Sequence, residues 1–152
     1  DELLLPRGRV PSPRDAAEVF ATALEQAAAS GRNVLIQGSG PRCVPCVGLS
    51  RWIEDHKGML ERDYVIVKID VDRDAHGLAL AQRLVPRIKS IPWMAIVDAQ
   101  GILLADSEGP LGNVGFPSQF EDLRHFRHML EITRHRLTTE DIAKLIESLN
   151  SQ

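Results

Sequence analysis

Apolar positions change their spacing along this chain, and the changes divide it into elements. Ser12 as a cap, Pro13 at a first helical position and Asp15 three residues past the cap predict a helix that continues through an alanine-rich run to Ser30, where Gly31 can end it. Asn33-Val-Leu-Ile-Gln37 is a short apolar run that reads as a buried strand, broken by Gly38-Ser-Gly-Pro41. A second helix follows, with Cys46, Leu49, Ile53 and Leu60 on its inner face, Trp52 beside them and Gly58 weakening its end. Tyr64 to Val71 is rich in β-branched residues and reads as a central strand buried on both faces. A helix from Ala75 to Leu84 leads to Pro86, and then Trp93–Val97 and Ile102–Ala105 flank Asp98-Ala-Gln-Gly101 as a hairpin. Gly109 to Pro117, with Gly112, Gly115 and Pro110 inside it, reads as a loop long enough for a functional or packing role. Two helices close the chain. The first carries Leu123, Phe126, Leu130, Thr133 and Leu137 on one stripe; the second starts at Thr138 or Thr139 and carries Ile142, Leu145, Ile146 and Leu149.

Strands alternating with helices, on 152 residues of which 43% are hydrophobic, describe one α/β domain over residues 13–149 behind an arm at 1–12. The 18 basic and 21 acidic residues leave a formal charge of −3, so the overall balance offers nothing to nucleic acid or an anionic membrane. No apolar run approaches the roughly 20 residues of a membrane span, since Leu3-Leu4-Leu5 stops at Pro6. A first residue of Asp1 rather than Met fits a processed or a trimmed chain alike. The compartment stays open, with an extracytoplasmic one, periplasmic or secreted, ahead of the cytoplasm.

The chemistry concentrates in Cys43-Val44-Pro45-Cys46, which holds both cysteines and stands where a strand gives way to a helix. Sulfurs three positions apart can close a ring and open it again. A helix amino terminus, with unpaired N–H groups and partial positive charge, favours the thiolate. Half a zinc site is the bland alternative, but two further ligands are missing, as no His has a zinc-finger spacing from the pair. A purely structural disulfide closing so short a loop restrains the unfolded chain little. Asp70, Asp72 and Asp74 alternate like a calcium loop, yet Ala75 and Ala81 stand where that loop needs Gly and Glu. They read instead as the solvated end of a strand, and Lys68 either pairs with one of them or tunes the cysteines. His125, His128 and His135 among Arg124, Arg127, Arg134 and Arg136 read as a solvated helix face, and no metal site is expected. Gly38-Ser-Gly40 lacks the Lys-Ser/Thr of a phosphate loop.

Three separated features fall in a known order: Cys43-Val-Pro-Cys46 after a strand, Val67-Lys68-Ile69-Asp70-Val71-Asp72 on the next strand, and Ser90-Ile91-Pro92 entering the hairpin. In these the chain resembles the thioredoxin-like superfamily over residues 13–107. The resemblance implies a mixed sheet flanked by helices, with residues 109–149 as an atypical loop and extra C-terminal helices. It also implies thiol–disulfide exchange with protein or peptide substrates. Cys43 would be the exposed nucleophile and Cys46 the resolving thiol, with no bound cofactor and an external thiol reductant or oxidant. Arg42 would favour the Cys43 thiolate. By the same resemblance Pro45 keeps the family's proline before the second cysteine and Lys68 matches its lysine. Pro92 would be a cis proline against the disulfide, and Ile91 would offer backbone hydrogen bonds to an extended substrate, with Val44 and Trp93 as its apolar neighbours.

Two positions depart from the family pattern. Gln37 stands where thioredoxins carry a buried, proton-transferring aspartate, and Arg42 where they carry a tryptophan. These motivate a second reading, in which the fold holds a partner through residues 109–152 without catalysis. A third has the dithiol deliver copper in an extracytoplasmic space.

Overall fold

A computed structural model describes residues 13–151. Ser12 and the arm before it lie outside the described residues. Four strands form the main sheet: β1 (Asn33–Ser39), β2 (Tyr64–Asp70), β3 (Trp93–Val97) and β4 (Leu103–Asp106). Their order is β2-β1-β3-β4, with β1 and β2 parallel and the other two pairings antiparallel, so the sheet is mixed. The helices are α1 (Ala16–Ser30), α2 (Val44–Asp55), α3 (Lys57–Leu60), α4 (Gly77–Leu84), α5 (Phe120–Thr133) and α6 (Thr139–Asn150). A small pair, β5 (Glu108–Gly109) and β6 (Gly112–Asn113), lies within the segment read as a loop.

The strand alternation sorts the core into two layers. Val34, Ile36, Val65, Val67, Ile69, Ala95 and Val97 point one way, toward Phe20, Ala23 and Ala27 of α1 and Leu80 and Leu84 of α4. Leu35, Tyr64, Met94 and Ile96 point the other way, toward Leu49 and Trp52 of α2, Phe126 and Leu130 of α5, and Leu145 and Leu149 of α6. The C-terminal helices therefore supply a large part of one layer. Among the described residues β2 is an edge strand, contrary to the sequence expectation of a central one. Its β-branched run reflects cover by helices on its faces, which hydrophobicity reports, and not its place in the strand order, which it does not.

Several boundaries move for local reasons. Helix α1 starts at Ala16, with Asp15 as cap: the Ala17 N–H donates to Asp15 Oδ1 at 2.9 Å. The Ala16 N–H donates to the Ala75 carbonyl, and Ala75 N–H to that of Arg14, so Ala75 is spent in a bridge and α4 begins only at Gly77. Helix α2 ends at Asp55, where His56 leaves helical geometry and its Nδ1 meets the Trp52 carbonyl oxygen at 2.8 Å. Helix α6 starts from the Thr138 cap, whose side chain and that of Asp141 bond each other's backbone N–H groups.

Buried polar side chains lock the C-terminal helices to the sheet. Asp63, fully buried, accepts the N–H groups of His135, Arg136 and Leu137 at 2.7–3.0 Å, which holds the α5–α6 connection against the start of β2. Asn33 donates to the Thr133 carbonyl at 2.9 Å. The Thr133 hydroxyl donates to the Met129 carbonyl, and so receives the Tyr64 hydroxyl at 2.7 Å.

Candidate active site

Cys43 caps α2. Its backbone is extended, Val44 and Pro45 form the first helical positions, and the Cys46 N–H donates to Cys43 Sγ at 3.2 Å. Pro45 costs nothing there, because a first-turn N–H has no partner inside the helix. Cys43 and Cys46 form a disulfide, with Cα atoms 5.2 Å apart. Cys43 is half-buried, whereas Cys46 is 2% exposed, so the pair is unequal in access. Arg42 is exposed and holds a φ of 57°, a left-handed backbone uncommon for a side chain of its size.

Beneath the pair lies Gln37. As the third residue of β1 on its face, after Asn33 and Leu35, it points at α2 and donates from Nε2 to Ser50 Oγ at 2.9 Å and to the Cys46 carbonyl at 3.3 Å. The position holds a neutral tether. Lys68 pairs in register with Gln37 on β2, is exposed, and makes no ion pair with Asp70 or Asp74. Those carboxylates serve the backbone: Asp70 accepts from Asp72 and Arg73 N–H, and Asp74 from Asp70 N–H. Among the described residues no group of three or more His, Cys, Asp or Glu could hold a metal ion. No helix among them is long and apolar enough to cross a membrane.

The Ile91–Pro92 peptide is cis, and Pro92 is buried. Gly40 brings this turn to the cysteine loop, since a Cβ on Gly40 would stand 2.7 Å from Ile91 Cδ1. Neither the N–H nor the carbonyl of Ile91 has a hydrogen-bonding partner among the described residues. Val44 is 83% exposed beside the cysteines. Trp93 differs from expectation: it is 2% exposed, and its ring covers Gly38, its cross-strand partner, where any Cβ would collide with it. The period of two in β3 turns it into the α1 and α4 layer, away from the face that carries α2.

Sequence reasoning missed Asn113. Its Nδ2 donates to the Pro92 carbonyl at 2.9 Å, Ser90 Oγ at 3.0 Å and the Ser90 carbonyl at 3.2 Å. Its Oδ1 accepts from Ser107 Oγ at 2.8 Å and Gly115 N–H at 3.3 Å. Just beyond Gly115, Phe116 packs on Gly48 of α2, where a Cβ would lie 2.7 Å from its ring. The 109–117 segment thus touches both the proline turn and the cysteine helix. Its one legible sign was a long glycine-bearing segment ending in proline. His125, expected on a solvated face, is half-buried, and its Nε2 donates to the Asp106 carbonyl at 2.8 Å.

The model of the family described as thioredoxin-like matches residues 15–99, more than half of the chain. Among curated proteins none matches this sequence. Solved structures share the fold. A disulphide isomerase from Xylella fastidiosa Temecula1 is 17% identical at a TM-score of 0.58, covering 92% of this chain and 96% of that one. Oxidized thioredoxin O2 from Arabidopsis thaliana is 16% identical at 0.52, covering 85% and 98%. A mutant thioredoxin from Halobacterium salinarum NRC-1 is 19% identical at 0.50, covering 88% and 99%. Coverage on this scale runs past Gly109, so part of the C-terminal segment has counterparts in these folds.

Proposed function

Because this chain belongs to the thioredoxin-like family, we propose that it is a thiol–disulfide oxidoreductase exchanging disulfides with protein or peptide substrates. In the reduced state the Cys43 thiolate attacks a substrate sulfur, a mixed disulfide forms, and the departing thiolate takes a proton. Cys46 then attacks Cys43 Sγ, releasing the second substrate thiol and restoring the Cys43–Cys46 disulfide. The substrate gains two electrons and two protons. An external thiol reductant resets the pair, or an external oxidant does so when the direction is reversed, with no bound cofactor.

The observation that carries this reading is the pairing of an accessible Cys43, disulfide-linked to a buried Cys46 at a helix start, with the unpartnered backbone of Ile91 across Gly40. Free N–H and carbonyl groups at a turn can receive an extended peptide as an added strand. Val44 gives that peptide an apolar neighbour, and Pro92 sets the turn. The helix start, Arg42 and Lys68 favour the thiolate of Cys43. The reading of a non-catalytic module that holds a partner through residues 109–152 has less support, because α5 and α6 bury their apolar faces in the core.

Insulin reduction coupled to dithiothreitol tests the proposal. Cys43→Ser should abolish turnover, and Cys46→Ser should accumulate a mixed disulfide detectable by mass. A Cys43→Ser variant as fast as wild type would sink it.

A further inference from the structure

A second feature adjoins the disulfide. An open cleft of about 840 Å³ has Cys43 and Cys46 in its wall together with four cations, Arg14, Arg42, Lys68 and Arg73, against two carboxylates, Asp70 and Asp74. Both carboxylates are engaged within the fold. Asp74 lies 3.7 Å from Arg14 and accepts the Asp70 N–H; Asp70 lies 4.0 Å from Arg73 and accepts two backbone N–H groups. Arg42 and Lys68 have no carboxylate partner among the described residues. Nor does β1 supply one, because Gln37, the register partner of Lys68, carries a neutral amide turned to α2. The Asp72 carboxylate stands at the rim, its Oδ2 3.8 Å from where a Cβ on Gly40 would lie. Four cations therefore face three carboxylates, and a surplus of one positive charge, carried by Arg42 and Lys68, remains beside the reactive sulfurs. A cleft with low-dielectric walls concentrates such a field. Gly40 links the cleft to the peptide edge: it lines the cleft, and it is the residue against which Ile91 packs.

We infer that this cleft selects disulfides flanked by carboxylates, reading them with Arg42 and Lys68 while the exchange takes place at Cys43. The inference rests on the oxidoreductase reading and adds a substrate class to it. The carboxylates can belong to an acidic protein segment or to a small acidic thiol compound. In either case the Cys43 thiolate breaks the substrate S–S bond as above, and the recognised carboxylates keep their charge throughout.

The full chain, reduced beforehand and freed of reductant, is mixed with disulfide-linked peptide pairs bearing Glu, Gln or Lys on both sides of the cysteine, and with glutathione disulfide. Single-turnover oxidation is followed by acid quench, alkylation and mass. The Glu peptide should react about fivefold faster than the Gln peptide at low salt and the Lys peptide more slowly than either, with the spread closing as the Debye length shrinks to about 3 Å near 1 M salt. Arg42→Gln with Lys68→Gln should bring the Glu-to-Gln ratio toward one. The ratio is the readout, so a rate change common to all peptides does not enter it. Glutathione disulfide matching the Glu peptide assigns the cleft to small acidic thiols; a rate near the Gln peptide assigns it to acidic protein segments. Equal Glu and Gln rates in the wild type, or a ratio that survives the double substitution, overturns the inference and leaves the oxidoreductase reading standing. No exchange with any of the four overturns both.

Discussion

Asn113 shows how one side chain can organise a site from outside it. Its two N–H groups serve Ser90 and Pro92 on either side of Ile91, and its Oδ1 is held in turn by Ser107 and Gly115. It is a positioning residue, since it is bonded to the turn that would receive substrate and not to the sulfurs. Asn113→Ala should raise KM for a peptide disulfide by about tenfold, with a smaller fall in kcat, because a misaligned edge weakens binding before it alters the thiols. It should also cost about 1–2 kcal/mol of stability, because the Ser107 hydroxyl and the Pro92 carbonyl, both on buried residues, lose this partner. Denaturant melts and steady-state kinetics with one peptide check both; an unchanged KM removes Asn113 from the site. At this scale the cysteines were legible from spacing alone, because their partner lies three positions away. Asn113 and Gln37 were not legible as donors, because their acceptors lie across the fold and no local pattern marks an amide that will turn inward to them.

Among the elements, helix starts show where local signals compete. Ser12-Pro13 and Asp15 both read as capping signals, and the structure uses Asp15 because Ala75, far along the sequence, accepts the Ala16 N–H. His76 Nδ1 lies 3.0 Å from Asp15 Oδ1, and the hydrogen bond to His76, followed by that from Ala17, holds the Asp15 carboxyl below its ordinary value of 3.8. A carboxyl depressed in the folded state stabilises it above the unfolded pKa, and that contribution disappears as pH falls through the lower, folded value. Thermal melts from about pH 6 downward should therefore lose stability below about pH 4 in the wild type, and Asp15→Asn should flatten part of that acid limb. Asp141, lowered by its bond with Thr138, contributes in the same direction and should keep some slope in the variant. An acid limb unchanged by Asp15→Asn would show that the α1 cap does not depend on this charge.

For the whole molecule, hydrophobic period predicted the strands of the main sheet and the helices apart from α3, which it merged with α2 through Leu60, but not their arrangement. Alternation in β1 and β3 assigns residues to two faces, yet β2 reads the same at an edge as at the centre when helices cover it. The C-terminal helices were legible as amphipathic, whereas their attachment through Asp63 and Asn33 was not, since those polar residues bond backbone groups up to a hundred positions away. Ser107 extends this long-range wiring to the Ile91–Pro92 edge. It receives the Met94 N–H on its hydroxyl, donates its own N–H to the Met94 carbonyl, accepts the Val114 N–H on its carbonyl and holds Asn113. The start of β3, the β5–β6 pair and the Ile91–Pro92 turn consequently share their hydrogen bonds, and groups that share bonds open together. In native-state amide exchange, Met94, Ser107 and Val114 should exchange with one common opening free energy, and Asn113→Ala should lower all three by a similar amount. Separate values would divide the unit. If it holds, the edge offered to a substrate has no independent looseness: its rate of opening is set by a segment that follows the whole sheet in the chain, and is complete only once that segment has been made.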